Sequence, residues 1–190
     1  MKVPAIATVV LMMSIMTGCS ADEDSSASAT DDHHHHDHGS GTGTPGSGEF
    51  EVAIGAAVSL SGDGETAAYE VTYTVTAISI AEVDDAGEPP HDNDAFIIAD
   101  VEVRGFRGEH VVGPDNPDYV FSLVDADETE YPLSAQTVTP ELSGTVSADQ
   151  TVTGKLVFDV PAEARETGVV RLVTFANGAD LTIDWPYTLP

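Results

Sequence analysis

From Phe50 onward, large apolar side chains recur at every second position, the period of a strand with one buried face. Tyr69, Val71, Tyr73 and Val75 alternate with Glu70, Thr72, Thr74 and Thr76. The phase then flips, because Ile78 and Ile80 are the next large apolar residues. A flip of this kind predicts a β-bulge or a strand that changes sheets. Ile97, Ala99, Val101 and Val103 alternate with Ile98, Asp100, Glu102 and Arg104. Val152, Gly154, Leu156, Phe158 and Val160 alternate with Thr151, Thr153, Lys155, Val157 and Asp159. Shorter strands are predicted over Val52–Leu60, Tyr119–Val124, Thr129–Leu133, Val169–Phe175 and Leu181–Trp185. Gly62-Asp63-Gly64, Asp125-Ala126-Asp127 and Asn177-Gly178 supply tight turns between them. No stretch has helical periodicity, and Ala162–Glu166 has room for one helical turn. About eight strands with frequent turn signals and no long helix predict an all-β chain, a sandwich of about 7–9 strands. Trp185 is expected to pack in that core or at its edge.

The first fifty residues lack this pattern. Lys2 precedes a short apolar run, Ile6–Met16, which ends in Met16-Thr17-Gly18-Cys19. The run is too short to span a bilayer and has the layout of an export signal. The four residues resemble the processing box of bacterial lipoproteins, with Met16 where that box usually carries Leu. The resemblance implies cleavage before Cys19 and lipidation of Cys19, the only cysteine. Ser20–Gly48 contains no Val, Ile, Leu or aromatic residue. It cannot bury enough apolar surface to offset its ordering entropy, so it is expected to be a disordered linker. As a flexible coil it would reach roughly 30 Å. The expected organisation is a signal peptide over 1–18, a lipidated Cys19 with an acidic, His-rich linker over 19–49, and the sandwich over 50–190.

Charge narrows the functional classes. The chain carries 33 acidic residues against 6 Lys and Arg, a net charge of −27. Such a chain offers no basic patch to phosphates, which disfavours nucleic-acid binding and electrostatic adhesion to anionic lipid. Solubility in a halophile or a high-GC bacterium accounts for the acid excess. A lipidated Cys19 leaves no thiol for disulfide, redox or Cys–metal chemistry. Membrane attachment would then rest on the lipid alone, and firm attachment takes two or more chains.

Three stretches together resemble a known family. The first is Ile54-Gly55 with a Val-rich hairpin. The second is Phe96-Ile97-Ile98-Ala99-Asp100-Val101-Glu102-Val103, followed by Phe121-Ser122-Leu123-Val124-Asp125 and Tyr131. The third is Thr153-Gly154-Lys155-Leu156-Val157-Phe158-Asp159-Val160-Pro161. They are similar to the small immunoglobulin-like domain of unknown function found in many Gram-positive lipoproteins, grouped with the immunoprotective-extracellular proteins. The resemblance covers about Val52–Tyr187 and implies an immunoglobulin-like sandwich without catalytic residues. The family tends to have Gly where this chain has Glu128, and Pro-Gly where it has Ala148-Asp149.

Candidate chemistry is sparse. His33, His34, His35, His36, Asp37 and His38 form a tract whose imidazoles and carboxylate suit Zn, Cu or Ni. The competing reading of the tract is a solvated spacer. The loop Asp84–Asp94 offers oxygen ligands but not EF-hand spacing, so an acidic surface loop is expected rather than a calcium site. His91 and His110 each adjoin an acid, yet no nucleophile elbow accompanies them. An enzyme is not expected. The expected function is a lipid-anchored extracytoplasmic module at the cell membrane. Its loops, Val83–Asp94, Gly105–Asp118 and Gln136–Asp149, would bind a protein or envelope partner. The alternative is capture of divalent metal by the His33–His38 tract.

Overall fold

The computed structural model describes residues 48–63, 67–114, 116–136 and 138–190. Its strands are β1 (Gly48–Glu51), β2 (Ala57–Asp63), β3 (Ala68–Ala81), β4 (Ala95–Arg107), β5 (Glu109–Val112) and β6 (Tyr119–Asp125). They continue with β7 (Glu130–Pro132), β8 (Gly144–Ser147), β9 (Thr151–Val160), β10 (Thr167–Ala176) and β11 (Ala179–Thr188). A 3-10 turn, Ala162–Arg165, joins β9 to β10. One sheet has the order β1-β11-β10-β6-β7 and the other β2-β3-β4-β9; β5 and β8 form a separate ribbon. The two main sheets face each other as an immunoglobulin-like sandwich of nine strands.

The alternation explains the packing. Tyr69, Val71, Tyr73 and Val75 of β3, Ile97–Val103 at alternate positions of β4, and Leu156, Phe158 and Val160 of β9 turn inward. They meet Phe121 and Leu123 of β6, Val170 and Leu172 of β10, and Leu181, Ile183 and Trp185 of β11. Trp185 is fully buried, so it is a core residue. A buried side chain of this size contributes about 2–3 kcal/mol relative to exposure.

The phase flip in β3 is a bulge. Val75 pairs with Val101 and Ala77 with Asp100, which leaves Thr76 as the extra residue. Ile78 and Ile80 then pair with Ala99 and Ile97, so Ile78 stays against the core. One inserted residue restores the inward face, as the strand's two-residue period requires.

Three expectations need correction. Val52–Leu60 is not one strand: β1 ends at Glu51, and β2 begins only at Ala57, in the other sheet. A turn over Ala53–Ala56 separates them, closed by a bond from Ala56 N to Ala53 O, with Gly55 at φ +85°. A side chain at Gly55 would strain that left-handed backbone. The loops Gly105–Asp118 and Gln136–Asp149 are not free loops, because they contain β5 and β8, which pair with each other. Residues 133–136 and 138–142 also form a strap along the β9 edge: Leu133 bridges Phe158, and Leu142 N bonds Lys155 O. The strap places Val138 over Phe96, Ile98 and Val157, a small second core outside the main sandwich. Finally, β1 begins at Gly48, two residues before the expected domain start.

Candidate functional site

The register gives the sandwich two ends. The upper end holds the β3–β4 loop, the β6–β7 turn, the start of the strap and the 3-10 turn. The lower end holds the β10–β11 hairpin and the β5–β8 ribbon, and the chain enters β1 there, Gly48 pairing with Leu181.

The β3–β4 loop is built from its own carboxylates. Asp84 Oδ1 accepts bonds from the amides of Ala86 and Glu88, both at 2.9 Å. Asp85 Oδ2 accepts from Thr139 N and Oγ1, each at 2.6 Å. Gln136 is buried between the two segments; it accepts from His91 N at 2.9 Å and donates to Pro89 O at 3.0 Å. Asp159 accepts from Asp92 N, and Asp94 accepts from Ala162 N. The loop is therefore pinned to the strap, to β9 and to the 3-10 turn. The Glu88 amide is the main reason that the Asp84 carboxyl sits below the usual carboxylate range. The Thr139 hydroxyl does the same for Asp85. These carboxylates organise the loop, and the loop does not present them as a calcium cage.

The neighbouring turn repeats the device. Asp125 Oδ1 accepts from the amides of Asp127 and Thr129 at 2.9 Å each, and Oδ2 accepts from the Tyr131 hydroxyl at 2.8 Å. Desolvation works against its charge, but the Thr129 amide, the Tyr131 hydroxyl and the Asp127 amide outweigh it and lower the carboxyl. Glu128 stands at φ +64° in this turn and Asp149 at +63° before β9. Both are left-handed positions, which glycine adopts without steric cost.

His110, although it adjoins Glu109 in sequence, is buried. The alternation of the short strand β5 turns it inward, where its Nε2 and the Tyr73 hydroxyl share a bond of 2.8 Å. The rings of Tyr69 and Tyr119 lie 4.5 and 4.6 Å from it, centroid to centroid. Their hydroxyls share a second bond of 2.8 Å. Desolvation pushes His110 down to about 4 and the Tyr73 and Tyr119 hydroxyls well above their usual range. Such a histidine stays neutral near pH 7 and fills the core. His91 is exposed.

Cys19 and the tract His33, His34, His35, His36, Asp37 and His38 lie outside the described residues. Among the described residues, no three His, Cys, Asp or Glu side chains converge as metal ligands would, and no helix is long and apolar enough to cross a membrane. The residues that sequence reasoning missed are Gln136, Thr139 and Asn177. They are polar groups in loops, and their partners lie between 45 and 118 positions away. Only the turn signal at Asn177-Gly178 marked one of them in advance.

A family model described as Domain of unknown function (DUF4352) matches residues 61–175. No curated protein matches the chain. Among solved structures it is similar to MPT63, a secreted protein of Mycobacterium tuberculosis, with 17% identity and TM-score 0.51 over 75% of this chain and 100% of that one. It is also similar to a presumed lipoprotein of Bacillus subtilis, with 17% identity and TM-score 0.46 over 62% of this chain and 36% of that one. An uncharacterized β-sandwich protein of Clostridium difficile matches with 12% identity and TM-score 0.45, over 75% and 97% of the two chains. At these identities the first likeness speaks to the fold, which is the β-sandwich seen here.

Proposed function

The chain belongs to the DUF4352 family, and on that premise we propose that it is a non-catalytic, lipid-anchored binding module on the extracytoplasmic face of the cell membrane. The observation that carries this reading is the pinned upper loop. Loop Val83–Asp94 is pre-ordered by partners on three other segments, and a binding surface ordered in advance loses less entropy on association. It stands at the opposite end from Gly48, where the chain arrives from Cys19. A domain tethered at its lower end would present the upper end outward. Asp84, Asp85, Glu88, Asp92, Asp94, Asp127 and Glu128 make that end acidic, which suits a cationic partner or envelope component. The export signal and the processing box before Cys19 support the anchor.

The test measures saturable binding of the purified protein to isolated cell envelopes. Asp85→Ala combined with Gln136→Ala is expected to weaken binding about tenfold, and added salt to weaken it further. Saturable binding unchanged in the double variant and in a variant with 84–93 replaced by a Gly-Ser linker would remove the loop from the reading. Incorporation of a labelled fatty acid that persists in Cys19→Ser would remove the anchor.

The composition of His33–His38 favours a second reading, metal capture. Calorimetric titration with Zn, Cu and Ni should give a Kd below about 1 μM, equivalent to about −8 kcal/mol. Deleting the tract should abolish that binding. Weak heats, or heats that survive the deletion, make the tract a spacer.

A further inference from the structure

Of the three asparagines, Asn93, Asn116 and Asn177, only Asn177 is followed by glycine. The Asn177-Gly178 turn does more than join β10 to β11. Asn177 Oδ1 accepts from Ser61 N at 2.8 Å and from Ser61 Oγ at 2.7 Å. Asn177 N donates to Ser61 O at 2.6 Å, and Nδ2 reaches Ser59 O at 3.4 Å. One residue at the tip of one sheet thus occupies the hydrogen-bonding groups of Ser61 and the carbonyl of Ser59 on the free edge of β2 in the other sheet. The turn is a two-residue loop, closed by Ala176 opposite Ala179, with φ +54° at Asn177 and +77° at Gly178.

We propose that Asn177 is a site of spontaneous deamidation that the folded hairpin holds in check, so that its conversion records opening of the contact between the two sheets. In this reaction the Gly178 backbone nitrogen attacks Asn177 Cγ. The C–N bond of the succinimide forms, the bond from Cγ to Nδ2 breaks, and ammonia leaves with the proton lost from the Gly178 amide. Water then opens the ring. Attack at Cγ yields aspartate; attack at the Asn177 backbone carbonyl yields isoaspartate, with the main chain running through the side chain. Glycine on the C-terminal side leaves the nucleophile unshielded, because it has no Cβ. Asn116 is excluded chemically, since the nitrogen of Pro117 carries no proton.

Two features of the fold oppose the step. Ring closure requires rotation of the Asn177 Cα–C bond away from the left-handed value that the two-residue turn needs. It also requires the carboxamide to leave Ser61 and Ser59. The reaction therefore runs from an open hairpin, and its rate follows the population of that opening. The two products differ in consequence. Aspartate keeps an acceptor for both Ser61 donors. Isoaspartate adds a main-chain carbon to a two-residue loop, so the hairpin cannot re-form its register and the β2 edge stays uncovered.

The test incubates the purified protein at pH 8 and 37 °C, folded and in guanidinium chloride, and follows residue 177 by peptide mass and isoaspartate content. Conversion in the folded protein is expected to be at least about tenfold slower than in denaturant, which corresponds to an opening cost of about 1.4 kcal/mol or more. Ser61→Ala, which removes the hydroxyl donor and keeps the fold, is expected to speed conversion of the folded protein. The isoaspartate fraction is expected to melt below unmodified protein. A folded rate within tenfold of the denatured rate, or no conversion at residue 177 even in denaturant, overturns the proposal. An unchanged rate in Ser61→Ala overturns the role given to the β2 contact.

Discussion

Glu128 and Asp149 each hold left-handed backbone, which costs a side-chain-bearing residue about 1–2 kcal/mol. Aspartate tolerates this region better than glutamate, because its short side chain bonds locally. Glu128→Gly is therefore expected to stabilise the protein by about 1 kcal/mol, a rise in melting temperature of about 2–4 °C by calorimetry. Asp149→Gly should gain less. His110 gives a pH signature at the same scale. Its folded value of about 4 lies below the unfolded value of about 6.5. Between these values the unfolded chain binds the extra proton. Stability from this group is therefore complete above about pH 6.5 and is lost as pH falls towards 4. The full effect is on the order of 3 kcal/mol. Unfolding by denaturant across this window should show the slope in the wild type and lose it in His110→Gln. An equal slope in both would assign it to other groups.

At the scale of elements, hydrogen bonds and close approach hold the strap and the hairpin tip in place. A Cβ on Gly154 would collide with the backbone of Leu142, because strand β9 and the strap are in contact there. Gly154→Ala is expected to cost about 2 kcal/mol and to open the strap to proteolysis between residues 133 and 143. Cleavage there at the wild-type rate would show that the strap does not depend on this approach. Asn177→Gly preserves the turn's backbone and its main-chain bond to Ser61 O but removes the side-chain bonds to Ser61 and Ser59, so it should cost about 1–2 kcal/mol by denaturant unfolding. The cross-strand pairs Lys155–Asp100 at 2.9 Å and Arg171–Asp184 at 2.7 Å are register partners. Both are partly exposed, and each is worth no more than about 1 kcal/mol.

The whole molecule carries a net charge of −27, and its upper end is crowded with carboxylates. Self-repulsion of this size opposes the compact state and is screened by salt. The melting temperature is expected to rise by several degrees between dilute buffer and 0.5 M NaCl. A flat or falling curve would mean that local pairs outweigh the repulsion. The upper end gathers acids on a pre-ordered loop, with Ile80 and Val83 exposed beside them, and Phe106, Val111, Val120 and Phe175 are exposed towards the lower end.

Much of the fold was legible in the linear pattern. Alternation identified the strands that supply the core, the phase flip in β3 marked its bulge, and Asn177-Gly178 marked a hairpin. These are local properties, set by a two-residue period and by which residues tolerate left-handed backbone. The short strands β5 and β8 could not be read this way, because four residues each carry too little periodicity. Nor could the break in Val52–Leu60, where a turn at Gly55 leaves only the part from Ala57 as strand. The candidate site was legible only as an acidic loop. What orders that loop is Gln136 and Thr139, and what buries His110 is a set of three tyrosines from β3 and β6. Those neighbours are distant in sequence, so only the packing of one sheet on the other brought them together.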